Sequence, residues 1–192
     1  MPPNDQTALD FLQSRRSRPA KTLIAPAPTH AALLPLLTAA ARSPDHGKLE
    51  PWRFIVLEQG AMPRLAALAE SRGRALGKSD EDIAKGRSQF DQGILAVAVI
   101  EVQKPSEKIP AIEQSYSAGA VCLALLNAAL ASGWGANWLS GWPAHDRRFC
   151  EDGLGLAEHE GIAGFIHIAT EGSKPPERPR PDLDVITEWM SQ

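Results

Sequence analysis

The fold class that the sequence predicts is one domain in which helices and strands alternate, and three observations predict it. Apolar runs of strand length, Trp52 to Leu57, Gly93 to Ile100, Trp134 to Ser140 and Gly161 to Thr170, are separated by stretches whose apolar residues recur at helical spacing. Leu33, Leu36, Leu37, Ala40 and Ala41 share one helical face, and Ala118 to Ala131 is apolar on nearly every side. The 192 residues, 43% hydrophobic and 22% charged, suit a single unit long enough to bury most of its apolar surface.

The elements follow in order. Thr7 to Ser14 reads as a short helix with Leu9, Phe11 and Leu12 as its apolar patch, ending in the basic turn Arg15-Arg16-Ser17-Arg18-Pro19. Thr29 can cap a second helix. Pro35 lies inside it, where a missing N–H and a ring clash cost about 3 kcal/mol unless the helix starts late or kinks. Ser43-Pro44-Asp45-His46-Gly47 is a turn by residue type, and Pro51 introduces the strand from Trp52. Ala61 to Leu76 and Asp80 to Phe90 are amphipathic helices forming a charged outer cover. Ser79 is the N-cap of the second, and Asp80, Glu81 and Asp82 place acid in its first turn.

Gly93 to Ile100 is apolar throughout, as a strand at the sheet centre must be. The longest helix runs from Ile112 to Ser132, with Gly133 to stop it. So apolar a helix needs burial all round, and a domain this small has little room to hide it, so part of it is expected to meet a partner subunit. Ala144 to Glu151 reads as a short helix. Pro175, Pro176, Pro179 and Pro181 extend the tail along the surface or the partner before a final turn around Asp184 to Trp189.

A formal net charge of −3 and a pI near 6.0 give no general attraction to nucleic acid or to acidic membranes. Met1 to Gln13 is polar and lacks the basic start and apolar block of a secretory signal, and no stretch approaches eighteen uninterrupted apolar residues. A cytoplasmic protein is expected, with Cys122 and Cys150 as reduced thiols. His30, His46, His145, His159 and His167 show no metal-ligand spacing with the cysteines, so no metal is predicted. No phosphate-loop or dinucleotide glycine fingerprint occurs, and no serine lies in a G-x-S-x-G elbow.

Three patches could carry chemistry. Arg15, Arg16 and Ser17 offer two guanidinium forks and a hydroxyl, a donor set suited to a phosphate and to polar ring edges, although an arginine pair leaving a surface helix is ordinarily just solvated. Arg42 and His46 flank Ser43-Pro44-Asp45 and set a cation and an imidazole at one edge; the bland reading of Asp45 is a side chain bonded to its own turn, and of Trp52 core packing. Gly133 to Trp142 interleaves glycines, which allow close approach, with indoles and Ser140, which offer stacking and donors.

In this order the patches resemble the nitroreductase family, particularly its short branch, over most of the chain. The resemblance is carried by "RRSR", then "ARSPDHGKLEPWRFIVLE", "SAGAVCLALLNAALASGWGANWLSGW" and "GIAGFIHIAT". It implies an α+β sandwich, a mixed central sheet flanked by helices, in a single flavin mononucleotide (FMN)-binding domain spanning residues 1–192. It also implies a homodimer with two FMN sites at the interface. By motif match Arg15, Arg16 and Ser17 would hold the phosphate and the ribityl or ring edge, Arg42 and His46 would reach the flavin of the other protomer, and Trp138, Leu139 and Ser140 would line the same site. No residue is expected to act as a catalytic acid or base.

The activity implied is a ping-pong oxidoreductase in which NADH or NADPH delivers hydride and an electron-poor small molecule, such as a nitroaromatic or quinone, takes the electrons. An FMN storage or delivery protein, or a flavoenzyme of the same fold with specialised chemistry, is the alternative. Two departures stand out: Leu139 occupies a position where short-branch relatives often carry arginine, and Pro35 interrupts the preceding helix.

Overall fold

The computed structural model describes residues 7–191, so the first six residues of the polar N-terminal stretch lie outside the described residues. Three helices begin on a hydroxyl that accepts a backbone N–H two or three residues on. Thr7 takes that of Asp10 (3.2 Å) at α1 (Ala8–Ser14), Thr29 that of Ala32 (3.3 Å) at α2 (His30–Ala40), and Ser79 that of Asp82 (3.1 Å) at α4 (Asp80–Asp91). The remaining helices are α3 (Met62–Ala75), α5 (Ala111–Ala131) and the short α6 (Leu183–Ile186). Helix α2 does not start late: it runs through Pro35, which sits on its exposed face with Ala31, so the carbonyl left without its intrahelical partner faces water.

Among the described residues five strands form the sheet: β1 (Leu23–Ile24), β2 (Trp52–Glu58), β3 (Leu95–Val102), β4 (Gly135–Leu139) and β5 (Glu160–Glu171). Strand β3 pairs with β2 from Trp52↔Glu101 to Glu58↔Leu95 and with β5 from Ala96↔His167 to Val102↔Glu160, with a register shift between Val99 and Ile100. Strand β5 also receives β4, from Gly135↔Ala169 to Leu139↔Phe165, and β1 at Leu23↔Glu171. The α+β fold with a central sheet flanked by helices is thus as expected, and each strand pairing described in the sheet is antiparallel. The two-residue β1 had no sequence signature.

Alternation along β3 builds two cores. Ala96, Ala98, Ile100 and Val102 pack with Leu65, Ala66 and Ala69 of α3 and Phe90 of α4, while Leu95, Val97 and Val99 pack with α2 and with Val121, Cys122, Leu125 and Ala129 of α5. Phe90 stacks on Phe149 (5.4 Å between centroids) and meets Phe165 edge-on (5.5 Å). A helical layer therefore covers each face of the sheet.

Helix α5 is long and apolar enough by composition to cross a membrane, but a stripe from Gln114 to Ala129 is sunk into the second core. Burial all round is not met within one chain, because Ile112, Tyr116 and Leu123 remain exposed along the opposite face. The short helix expected over Ala144 to Glu151 is instead a 3-10 turn (Trp142–His145) and a π turn (Phe149–Gly153). Asp146 separates them: its carboxylate accepts the Phe149 N–H (3.0 Å) and both arms of Arg72 (2.7 and 3.1 Å), which stops the first turn from continuing. Cys122 and Cys150 are free and buried, and burial pushes the Cys122 thiol up to about 12.

Trp142, at the start of that 3-10 turn, wedges between α3 and α4, where its indole N–H donates to the Asp82 carbonyl (2.9 Å) and its ring fills the space a Cβ would occupy at Gly86. Its role is packing.

His167 lies in the middle of β5, 1% exposed, with Nε2 lacking a hydrogen-bond partner among the described residues, and burial pushes its imidazole down to about 4. The unfolded chain therefore binds a proton here that the folded chain does not between pH 6.5 and 4. Stability contributed by neutral His167 is fully present above the unfolded value and is lost as pH falls through that window. Urea unfolding from pH 7 to 5 should show decreasing stability, and His167→Leu should flatten that slope; an unchanged slope would mean that other groups set it.

Candidate functional site

Beyond α1 the chain turns and lies along β4: the Arg18 N–H donates to the Ala136 carbonyl (2.8 Å), and the Arg18 guanidinium donates to the Arg16 carbonyl (2.6 Å) and pairs with Glu171 at the end of β5 (2.8 Å). This fixes Arg15, Arg16 and Ser17 beside the helix-to-strand corner at Leu130, Gly133 and Trp134. Between them is a cavity of about 300 Å³, also reached by Lys174.

One arm of Arg15 donates to the Ser17 hydroxyl (3.1 Å), while its Nε–H is buried with no partner among the described residues. Burial first, and then the like charges of Arg180, Arg16 and Arg18, lower its pKa from the ordinary guanidinium value. Arginine stays protonated regardless, so the shift registers burial first and the neighbouring cations second. The sequence had offered Arg15, Arg16 and Ser17. The fold adds Arg18 of the same basic turn to the cavity, and from the proline-rich tail it adds Lys174 to the lining and Arg180 nearby, two cations for which an extended chain gives no signal.

Leu139 and Ser140 lie at the other end of the same chain segment. With Pro19, Ala20, Lys21, Gln89 and Gln92 they line a cavity of about 410 Å³. Gln89 of α4 is buried and donates through Nε2 to the Ser140 carbonyl (3.1 Å), which fixes the backbone after β4. Trp138 projects from the opposite face of the strand. Its indole, 37% exposed, lies against Gly164 of β5 so closely that a Cβ there would overlap Nε1.

His46 is separate from both. It lines a third cavity of about 330 Å³ with Glu113, Tyr116 and Ala120 of α5, and its Nδ1 lies 2.6 Å from Glu113 Oε2. Arg42 is exposed just past the end of α2. Asp45 follows its bland reading, its carboxylate accepting the Glu50 N–H within the turn. Trp52 also packs, its indole N–H donating to Ser117 (3.2 Å), which in turn donates to the Pro44 carbonyl (2.9 Å). Within one chain, therefore, Arg15–Ser17 and Leu139–Ser140 flank one strand, whereas Arg42 and His46 stand beside the exposed face of α5. Among the described residues no group of three or more His, Cys, Asp or Glu side chains could hold a metal ion.

The family model described as "Nitroreductase family" matches residues 12–170, spanning all three patches. The chain belongs to the nitroreductase family. A relative from Escherichia coli strain K12, named "Putative NAD(P)H nitroreductase YdjA", is 35% identical over 163 residues, covering 85% of this chain and 87% of its own. A "Putative NAD(P)H nitroreductase" of Haemophilus influenzae is 32% identical over 164 residues, 85% of this chain and 88% of that one. Among solved structures, a nitroreductase-like family protein from Bacillus cereus superposes with a TM-score of 0.82 at 21% identity, covering 99% of each chain. A Desulfovibrio desulfuricans protein, solved as "a putative nitroreductase in complex with fmn", superposes with a TM-score of 0.76 at 18% identity, covering 97% of this chain and 99% of that one. The nitroreductase fold thus extends beyond the matched residues, through β5 and into the proline-rich tail.

In this nitroreductase the Gly164–Trp138 contact joins β4 to β5. Gly164→Ala should lower stability to urea by about 1–3 kcal/mol through overpacking. If the indole is what it strikes, combining it with Trp138→Ala should remove most of that added loss; simple additivity of the two changes would point to another cause.

Proposed function

We propose that this nitroreductase binds FMN and acts as a homodimeric, NAD(P)H-dependent oxidoreductase that reduces electron-poor small molecules such as nitroaromatics or quinones by a ping-pong cycle. The observation that carries the reading is the buried, unpartnered Nε–H of Arg15 inside a cluster of Arg16, Arg18, Lys174 and Arg180. Four cations lining one cavity, Arg15, Arg16, Arg18 and Lys174, with Arg180 close enough to repel Arg15, suit a phosphate monoester, whose near-dianionic charge and three acceptor oxygens match several N–H donors at once. The name of the FMN-complexed relative, and the NAD(P)H in the names of the curated relatives, agree with that choice.

When bound, FMN supplies a ring that accepts hydride from the nicotinamide and passes electrons to the second substrate. The chain's own residues bind and orient. Arg15 and Arg16 would hold the phosphate, Ser17 would follow along the ribityl chain, and Trp138, Leu139 and Ser140 would border the ring. Leu139 presents an apolar wall where a guanidinium would present donors, which favours flat, uncharged acceptors over anionic ones.

The homodimer is supported by α5. Ile112, Tyr116 and Leu123 are exposed along one helical face, and the tail exposes Leu183, Val185, Ile186, Trp189 and Met190, an apolar set too large to leave in water. Tyr116 and Ala120 belong both to that face and to the cavity holding His46. Covering the face with a second protomer would carry His46 and nearby Arg42 toward the partner's flavin, which explains their distance from Arg15 in one chain. The two free, buried thiols suit a reducing cytoplasm.

The test is an absorbance spectrum of the protein with FMN, followed anaerobically after addition of NADH or NADPH. Bleaching of bound flavin is the expected result. Flavin that binds and stays oxidised would indicate storage, and absence of binding would sink the proposal. Arg15→Ala should weaken FMN binding about tenfold to a hundredfold, the effect of one lost charge-assisted hydrogen bond, and leave riboflavin, which has no phosphate, unaffected.

A further inference from the structure

The cation cluster already has an anion, and it comes from the tail. Glu177 Oε1 lies 3.5 Å from an Arg16 guanidinium nitrogen and 3.1 Å from one of Arg180, and it also accepts the Arg178 backbone N–H (2.9 Å). The same Arg16 nitrogen donates to the Pro176 carbonyl (2.8 Å), so two consecutive tail residues occupy it across 160 positions of sequence. Glu177 is nonetheless 69% exposed, and nothing apolar anchors it. Pro175, Pro176, Pro179 and Pro181 hold the surrounding chain near an extended conformation, so laying it across the arginines removes little conformational freedom.

Geometry and charge place this carboxylate where it competes with a cofactor. Arg16 and Arg180 cannot turn fully to a phosphate while both face Glu177, whereas Arg15 stays unmatched in the cavity behind them. Glu171, the carboxylate that lines the cavity itself, is held by Arg18 and has no such freedom. We infer that Glu177 is a resident competitor of the cofactor phosphate: without cofactor the strap Pro175–Pro181 lies over Arg16 with its own Arg180 turned to Glu177, and phosphate binding displaces the carboxylate into water and frees both arginines. The inference rests on the FMN reading above. Its consequence is that affinity for FMN is set below what the arginines alone would give.

The test is titration of the full-length apoprotein with FMN and, separately, riboflavin, read by quenching of flavin fluorescence, for the unmodified chain, Glu177→Gln and Glu158→Gln. Glu158 is an exposed glutamate outside the strap, so its replacement removes the same charge elsewhere. Glu177→Gln should tighten FMN binding about two- to fivefold, the range of an exposed ion pair, while riboflavin affinity and the Glu158→Gln protein stay unchanged. Equal FMN affinity with and without Glu177, weaker binding in Glu177→Gln, or an equal gain in Glu158→Gln would each overturn the inference and leave the FMN reading standing. Failure of the unmodified chain to hold either flavin would overturn both.

Discussion

Backbone pairing along β5 positions nearly everything else. A buried strand must satisfy each N–H and carbonyl or lose several kcal/mol per group, on the order of the penalty for an unmade interior hydrogen bond. Strand β5 meets that demand with three neighbours, taking β3 along its first half, β4 along the middle and β1 at its last residues. From β3 follow the two helical layers. From β4 follows the bed on which Arg18 lays the segment from Arg15 to Ser17, and Glu171, the last residue of β5, holds the Arg18 side chain in place. The cation cluster is an extension of the sheet's hydrogen bonding.

The turn that feeds β5 is built with matching economy. Glu160 grips Arg53 of β2 through both oxygens (2.6 and 2.9 Å) and accepts the Ala157 N–H (3.0 Å), and this arginine holds the Glu160 carboxyl down to about 2. Arg147 closes the other side on the carbonyls of Leu156, Ala157 and Glu160. The start of β5 is thus fixed to the far side of β3, and its end to the chain that carries Arg15.

Much of this was legible in the sequence, and what was not has physical causes. The four longer strands and the hydroxyl-capped helices could be read because their signals are local: period, composition and a cap three residues from its partner. Strand β1 could not, since two residues become a strand only because β5 has a free edge opposite them. Helix α5 was legible as a helix, but a pattern apolar on every side hides which stripe meets the sheet. Arg15, Arg16 and Ser17 stood together in the sequence, and the two arginines line the cavity with Ser17 bonded to Arg15 beside it. Arg180 joins them across more than 160 residues, through an extended tail whose path no periodicity encodes. Of the tryptophans, Trp52 packs as its bland reading had it, Trp142 packs as well, and Trp134 lines the cavity beside Arg15.

The depth at which the two sulfur atoms are set has a bearing on chemical durability. Quinones, and the nitroso compounds formed when nitro groups are reduced, alkylate or add to thiolates, so a protein that handled them with a surface cysteine would be consumed by its own substrates and products. Cys122 sits between α5 and the sheet and Cys150 in the π turn beneath α3, both sealed from solvent and both disfavoured as thiolates by burial. The fold thereby presents electrophiles with no surface thiol at either cysteine, and a protein built this way would owe its durability against them to where its side chains pack.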